Sequence, residues 1–272
     1  MEAERMRVLV VVKAAPVLTR RLEETMCVAA VRLDDPVDWV RLHPVPFRDL
    51  DDESKFAKYQ ALSVDVIRPR SDRRPESWSP IHGSIAPTEA IDTAHGWAQR
   101  RQVIERLSQP TMCELIAANQ SGSGPGVPSL GVVRPVDPPK LKITKREDDQ
   151  LREWTRRAQA AGSQMSLFDE PGHHKPDFEV VPWRFQYEYR CAATGCAGHT
   201  QTIVDWEVLA LWRRVRGDSD WREQMRIKFE EKLWWGRDSL LFVGNQEQYP
   251  TSFLVLGVFW PPAGPAQAVM DL

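Results

Sequence analysis

The chain has 272 residues, 42% of them hydrophobic and 27% charged, with a formal net charge of -2. These values describe an ordinary globular chain, long enough for one large domain or two small ones. They exclude a protein that coats nucleic acid by bulk positive charge, leaving room only for a local basic groove. No apolar run approaches the roughly 18 residues a membrane-spanning helix needs, so no membrane partner is expected. Four cysteines are too few for a disulfide scaffold at this length. The polar start Met1-Glu2-Ala3-Glu4-Arg5 does not resemble a signal peptide, so the expected setting is a reducing cytoplasm. Arginine outnumbers lysine, which suits bidentate contacts to phosphate or base edges and equally reflects a GC-rich genome.

In chain order, Val8–Val12 is a β-branched apolar run closed by Pro16. Cys27–Leu33, Trp39–His43 and Tyr59–Ile67 are further strand candidates, separated by loops rich in Asp, Pro and Arg. This spacing predicts a small barrel or curled sheet. Residues 88–119 read as helical. Thr88 is placed to cap a helix running to Leu107, and Thr111-Met112-Cys113-Glu114 has the spacing of a capping box for a shorter one. A Ser-Gly-rich stretch at 121–126 reads as a linker, and Leu130–Val136 and Leu141–Ile143 as short strands. Thr144-Lys145-Arg146-Glu147 is a second capping box, opening a helix with Leu151, Trp154, Thr155 and Ala158 on one face.

Residues 161–178 lose periodicity around Gly162, Pro171, Gly172 and Pro176 and read as a loop. Phe185–Arg190 then alternates like a strand. Val208, Leu209, Trp212 and Val215 form one helical stripe, and Trp221, Met225, Phe229 and Leu233 another behind the box Asp220-Trp221-Arg222-Glu223. Leu240–Gly244 and Phe253–Trp260 read as buried strands, the last stopped by Pro261 and Pro262. The expected fold is α+β. A β-rich, barrel-like region with a helical insert spans residues 1–136, and a helix with an exposed docking loop spans 137–178. A strand-helix-helix-strand-strand region spans 179–272.

Within the loop, Gln164-Met165-Ser166-Leu167-Phe168 resembles the docking peptide of bacterial β-sliding-clamp-binding proteins, Gln-Leu-Ser/Asp-Leu-Phe. Met165 in place of Leu is the one departure, and the resemblance covers these residues alone. It implies a bacterial β sliding clamp as partner, in DNA replication, repair, mobile-element biology or antiphage defence. Leu167 and Phe168 suit the role of apolar anchors, Gln164 that of a rim hydrogen-bonding group, and Met165 adapts to a shallow groove. The alternative is that Leu167 and Phe168 staple the loop onto its own domain.

Cys191-x4-Cys196-x2-His199, with Gly195 and Gly198 in the turn, carries the donor types of a structural zinc site, although the spacing departs from the common Cys-x2-Cys knuckle. A fourth ligand has to come from Cys27, Cys113, His173, His174 or an acid such as Asp205. The alternative is two buried cysteines and a helix-capping histidine. Arg68, Arg70, Arg73 and Arg74 with Trp78, joined by Lys13 and Arg41, fit a phosphate-tracking groove with an aromatic platform. Their alternative is a solvated loop paired with Asp65, Asp72 and Glu76.

The segments Val8–Lys13, Glu24–Ala30 and Trp39–Val45 resemble the opening of prokaryotic OB-type barrel proteins, which implies nucleic-acid contact by analogy. Asp205-Trp206-Glu207 near His199 supplies acids for a metal-dependent nuclease, but Asp205 also fits the first turn of a helix capped by Thr202. No phosphate-binding loop, Gly-x-Ser-x-Gly or His-Glu-x-x-His motif is present. The reading is therefore a clamp-recruited, nucleic-acid-associated protein. Its rivals are a clamp-recruited nuclease acting through Asp205, Glu207 and His199, and an adaptor or inhibitor without DNA affinity.

Overall fold

The computed structural model describes residues 3–18, 24–122, 124–163 and 178–264. The pentapeptide Gln164–Phe168 and the candidate ligands His173 and His174 lie outside the described residues. The N-terminal strands are β1 (Glu4–Lys13), β2 (Val17–Leu18), β3 (Glu24–Arg32), β4 (Trp39–Val45), β5 (Gln60–Ile67), β6 (Ser77–Pro80) and β7 (Ala86–Ala90). β1 pairs antiparallel with β3 on one side and with β5 on the other. β3 pairs with β4 and β5 with β6, and β6 closes the ring by running parallel to β4, Arg41 opposite Ser77. The result is a closed five-stranded barrel in the order β1-β3-β4-β6-β5, a Greek-key arrangement of OB type. Alternate residues such as Val8, Val10, Val28, Leu42, Leu62 and Val64 fill its interior.

The chain continues through α1 (Ala94–Glu105), α2 (Met112–Ala118), β8 (Leu130–Val133), β9 (Lys140–Lys145), α3 (Asp148–Ser163), β10 (Trp183–Tyr189) and β11 (His199–Thr202). It ends with α4 (Trp206–Val215), α5 (Trp221–Arg226) with a π-helical turn at Ile227–Lys232, β12 (Leu240–Gln246) and β13 (Tyr249–Phe259). β8, β12 and β13 form a sheet buried on both faces. One face sets Leu130, Phe242 and Phe259 against Leu9, Val31 and Trp39 on the outside of the barrel. The other sets Leu241, Val243 and Val255 against Tyr187, Trp212 and Phe229. Burial on both sides is why β12 and β13 are continuous apolar runs instead of alternating ones. Each large apolar side chain removed from water contributes about 1.5–3 kcal/mol, so these faces are the main adhesive between barrel and C-terminal region. Gly244 makes the close fit possible: a Cβ there would lie 2.7 Å from Leu130 Cδ2 and 2.8 Å from Leu256 Cδ1.

Three local expectations are corrected. Thr88 does not cap a helix; it lies in β7, where its hydroxyl donates to the Ala61 carbonyl, and α1 begins only at Ala94. Pairing with β5 outweighs the helix propensity of that stretch. Thr144 sits inside β9 opposite Arg184, and α3 begins at Asp148, with Asp148 and Asp149 opposing the helix dipole. Asp205, not Thr202, is the N-cap of α4, accepting the Glu207 amide. The box at Thr111 is present: Thr111 Oγ1 accepts the Glu114 amide and Glu114 Oε2 accepts the Thr111 amide. No helix among the described residues is long and apolar enough to cross a membrane.

Candidate functional site

β10 and β11 form a hairpin whose turn carries Cys191, Cys196 and His199. The turn tightens through a Cys196 amide donating to the Ala193 carbonyl and through positive φ at Gly195 and Gly198, 74° and 102°. Pro135 bridges Cys191, tying the turn to the end of β8. α2 brings Cys113 over it from the other side. The sulfurs of Cys113 and Cys196 each lie 3.6 Å from Cys191 Sγ. His199 Nε2 lies 3.2 Å from Cys196, 3.4 Å from Cys191 and 3.7 Å from Cys113. All four donor atoms fall within 4.8 Å of one another.

A tetrahedral ion with sulfur at about 2.3 Å and nitrogen at about 2.0–2.1 Å separates its donors by roughly 3.5–3.8 Å. The cluster therefore fits a metal ion, and its sulfurs are too far apart for disulfides. Burial lowers the His199 pKa, which favours the neutral, ligating imidazole. Burial opposes ionisation of Cys196, but backbone groups of Cys191 and Gly198 outweigh it and hold the thiol below its usual range. Burial and the neighbouring thiols push the Cys113 thiol up to about 12. Tyr189 packs its ring on His199 and donates to Gln201, which donates to Met112 Sδ at the start of α2. The hairpin and the helix are thus joined beside the donors as well as through them.

The basic residues anticipated as one groove are divided. Arg41 is 3% exposed. It projects from the outside of β4 and donates to the carbonyl and hydroxyl of Ser129, both at 3.1 Å. The Ser129 amide and hydroxyl in turn donate to the two oxygens of buried Glu76. Arg74 grips both oxygens of Asp72 and donates to the Asn245 carbonyl in β12 at 2.6 Å. Burial opposes the Asp72 charge, but Arg74 and Ser77 hold its pKa down at about 2. Arg41 and Arg74 thus fasten the barrel to the central sheet. Arg68, Arg70 and Arg73 remain exposed on the β5–β6 loop, with Arg68 stacked 3.6 Å over Trp78. Lys13 points elsewhere, 3.5 Å over the Phe47 ring, donating to the Phe56 carbonyl.

Asp205, Glu207 and His199 do not converge. His199 belongs to the cysteine cluster, and among the described residues no second His/Cys/Asp/Glu grouping suits a metal. Lys58 bridges Asp205 at 3.5 Å and Glu207 at 3.1 Å. Burial opposes the Lys58 charge, but the two carboxylates outweigh it and hold the ammonium above its usual range. Burial in turn raises Asp205 to about 6 despite Lys58. Sequence reading did not single out Lys58, because nothing local marks a lysine whose partners are about 150 residues away.

Residues 108–271 match a family described as a domain of unknown function, DUF8757. The chain belongs to the DUF8757 family. Preceding the DUF8757 segment, residues 4–106, which include the barrel, match a second domain of unknown function, DUF8758. Three of the four donors were read as a set from sequence; Cys113, at the start of the DUF8757 segment, was one of several possible fourths. No curated protein matches the chain. Among solved structures, a murine DNA-binding protein bound to double-stranded DNA aligns over 98% of this chain and 100% of its own at 10% identity, with a TM-score of 0.31. A score of that size does not mark a shared fold.

Proposed function

We propose that this chain is a nucleic-acid-associated protein recruited to DNA by the bacterial β sliding clamp, with Gln164–Phe168 as docking peptide. Zinc is the metal for Cys113, Cys191, Cys196 and His199, in a structural role, because four protein donors leave no open coordination position. The observation that carries recruitment is the pentapeptide, which follows directly on α3 and precedes β10. Nucleic-acid contact falls to Arg68, Arg70, Arg73 and Trp78 on the β5–β6 loop, a loop that OB-type barrels use for ligands.

Calorimetry with purified clamp tests recruitment. Leu167→Ala/Phe168→Ala removes both anchors and is expected to weaken binding at least about thirtyfold, or roughly 2 kcal/mol. Absence of binding by the folded wild type overturns the reading.

The adaptor without DNA affinity is the second reading, favoured by one observation. The outer face of β3 and β4, which such barrels offer to ligands, is covered here by β8, β12 and β13. DNA binding measured at two salt concentrations separates the two. A salt-dependent affinity reduced by Arg70→Ala/Arg73→Ala supports the first, and none at either salt supports the second.

A further inference from the structure

One end of the barrel opens into a cavity of about 80 Å³ between the end of β1, the start of β3, the turn at Phe47–Asp49 and the first residue of α4. Lys13, Thr25, Met26, Phe47 and Trp206 line it, with Glu24 and Arg48 beside them. A single water needs roughly 10–15 Å³ measured this way, so the space admits several heavy atoms. Barrel mouths are common small-molecule sites.

Two of these groups are incompletely satisfied by the protein. Thr25 is 5% exposed, and its hydroxyl makes no hydrogen bond among the described residues. A buried hydroxyl left so has given up its hydrogen bonds to water without replacement. Lys13 gives one of its three N–H donors to the Phe56 carbonyl and rests on Phe47, and no carboxylate pairs with it among the described residues. Glu24 is paired with Arg48, 2.8 Å away. Burial pushes the Lys13 amine down to about 8, the response of a cation without an anion beside it.

We propose that this cavity binds a small organic carboxylate, its oxygens between the Lys13 ammonium and the Thr25 hydroxyl and its carbon skeleton against Met26, Phe47 and Trp206. One ammonium and one hydroxyl match a single carboxylate. A phosphate dianion would bring more charge and more acceptors than these two groups satisfy. The site stands independently of clamp recruitment and of the metal centre.

The test is an NMR titration of the full-length chain, following the Thr25 amide and Met26 methyl signals. The probes are hexanoate and benzoate, with inorganic phosphate and hexanol as the charge-only and skeleton-only arms. Saturable shifts are expected with the carboxylates, at least tenfold weaker with the other two. Lys13→Met is expected to weaken hexanoate binding at least tenfold, and Thr25→Val about three- to tenfold. In the wild type, hexanoate affinity is expected to fall at least fivefold between pH 7 and pH 9.5 as Lys13 loses its proton. No saturable shift with either carboxylate, equal affinity for phosphate or hexanol, or a flat pH profile would each overturn the proposal. The wild-type profile decides the matter even where a variant does not fold.

Discussion

The barrel and the β9-β10-β11 sheet are both small antiparallel structures, yet they are held together by different physics. The barrel closes on itself through the β1–β5 and β4–β6 pairings, so all five of its strands have partners on both sides. Its interior is filled from one set of alternate residues, which frees the other set to dock a second sheet. The β9-β10-β11 sheet stays open. β9 is an edge carrying Lys140, Lys142 and Lys145, charges that discourage pairing with another chain. At its other end the hairpin turn depends on Cys113, supplied by α2 from 78 residues before Cys191. A closed sheet can therefore give an outer face to domain contact, whereas the open one relies on helices and on the cluster of Cys113, Cys191, Cys196 and His199.

The largest expected loss comes from breaking the docked face of the barrel. Arg41→Met takes a facing positive charge from buried Glu76 and a donor from Ser129, and is expected to cost about 3–5 kcal/mol in urea denaturation. Arg41→Met/Glu76→Met is expected to cost less than the single change, because no uncompensated charge remains. The reverse order would mean that Arg41 is not a strut.

Gly244→Ala probes the apolar part of the same contact. A methyl 2.7–2.8 Å from Leu130 and Leu256 forces them apart, for about 1–3 kcal/mol by the same assay. An unchanged midpoint would mean that the two faces are loosely packed.

A pH-dependent effect is expected at Asp205, which joins the N-terminus of α4 to the barrel through Lys58. Its pKa is raised from 3.8 to about 6 in the folded chain. The folded state therefore holds a proton that the unfolded state releases between those values. Stability is expected to fall as pH rises through that window and to stay lower above it. Asp205→Asn keeps a good N-cap and is expected to remove this slope. Equal slopes in both proteins between pH 4 and pH 6.5 would contradict the assignment.

The sequence made some of this legible. The strands of β1, β3, β4 and β5 follow from β-branched runs between turn residues, and the stripes at Val208–Val215 and Trp221–Leu233 do pack inward as their period requires. β6 went unread because Ser77–Pro80 has no apolar signature; only its nonlocal parallel pairing with β4 makes it a strand. Arg41 looked like a groove residue because a buried arginine and an exposed one are the same letter. The warning lay next to it: Val28-Ala29-Ala30-Val31 does not alternate, so both faces of β3 had to be covered. Cys113 was one of five candidates for the fourth donor, and no spacing rule selects a ligand carried by a different element.

The most direct test of this account is the metal content of the purified full-length chain and of Cys113→Ser, measured by plasma mass spectrometry after expression with zinc supplied. One zinc per wild-type chain is expected, with little in the variant and a marked fall in the variant's thermal midpoint. A metal-free wild type, or a variant that keeps its zinc and its stability, would contradict a four-donor centre joining α2 to the β10–β11 hairpin.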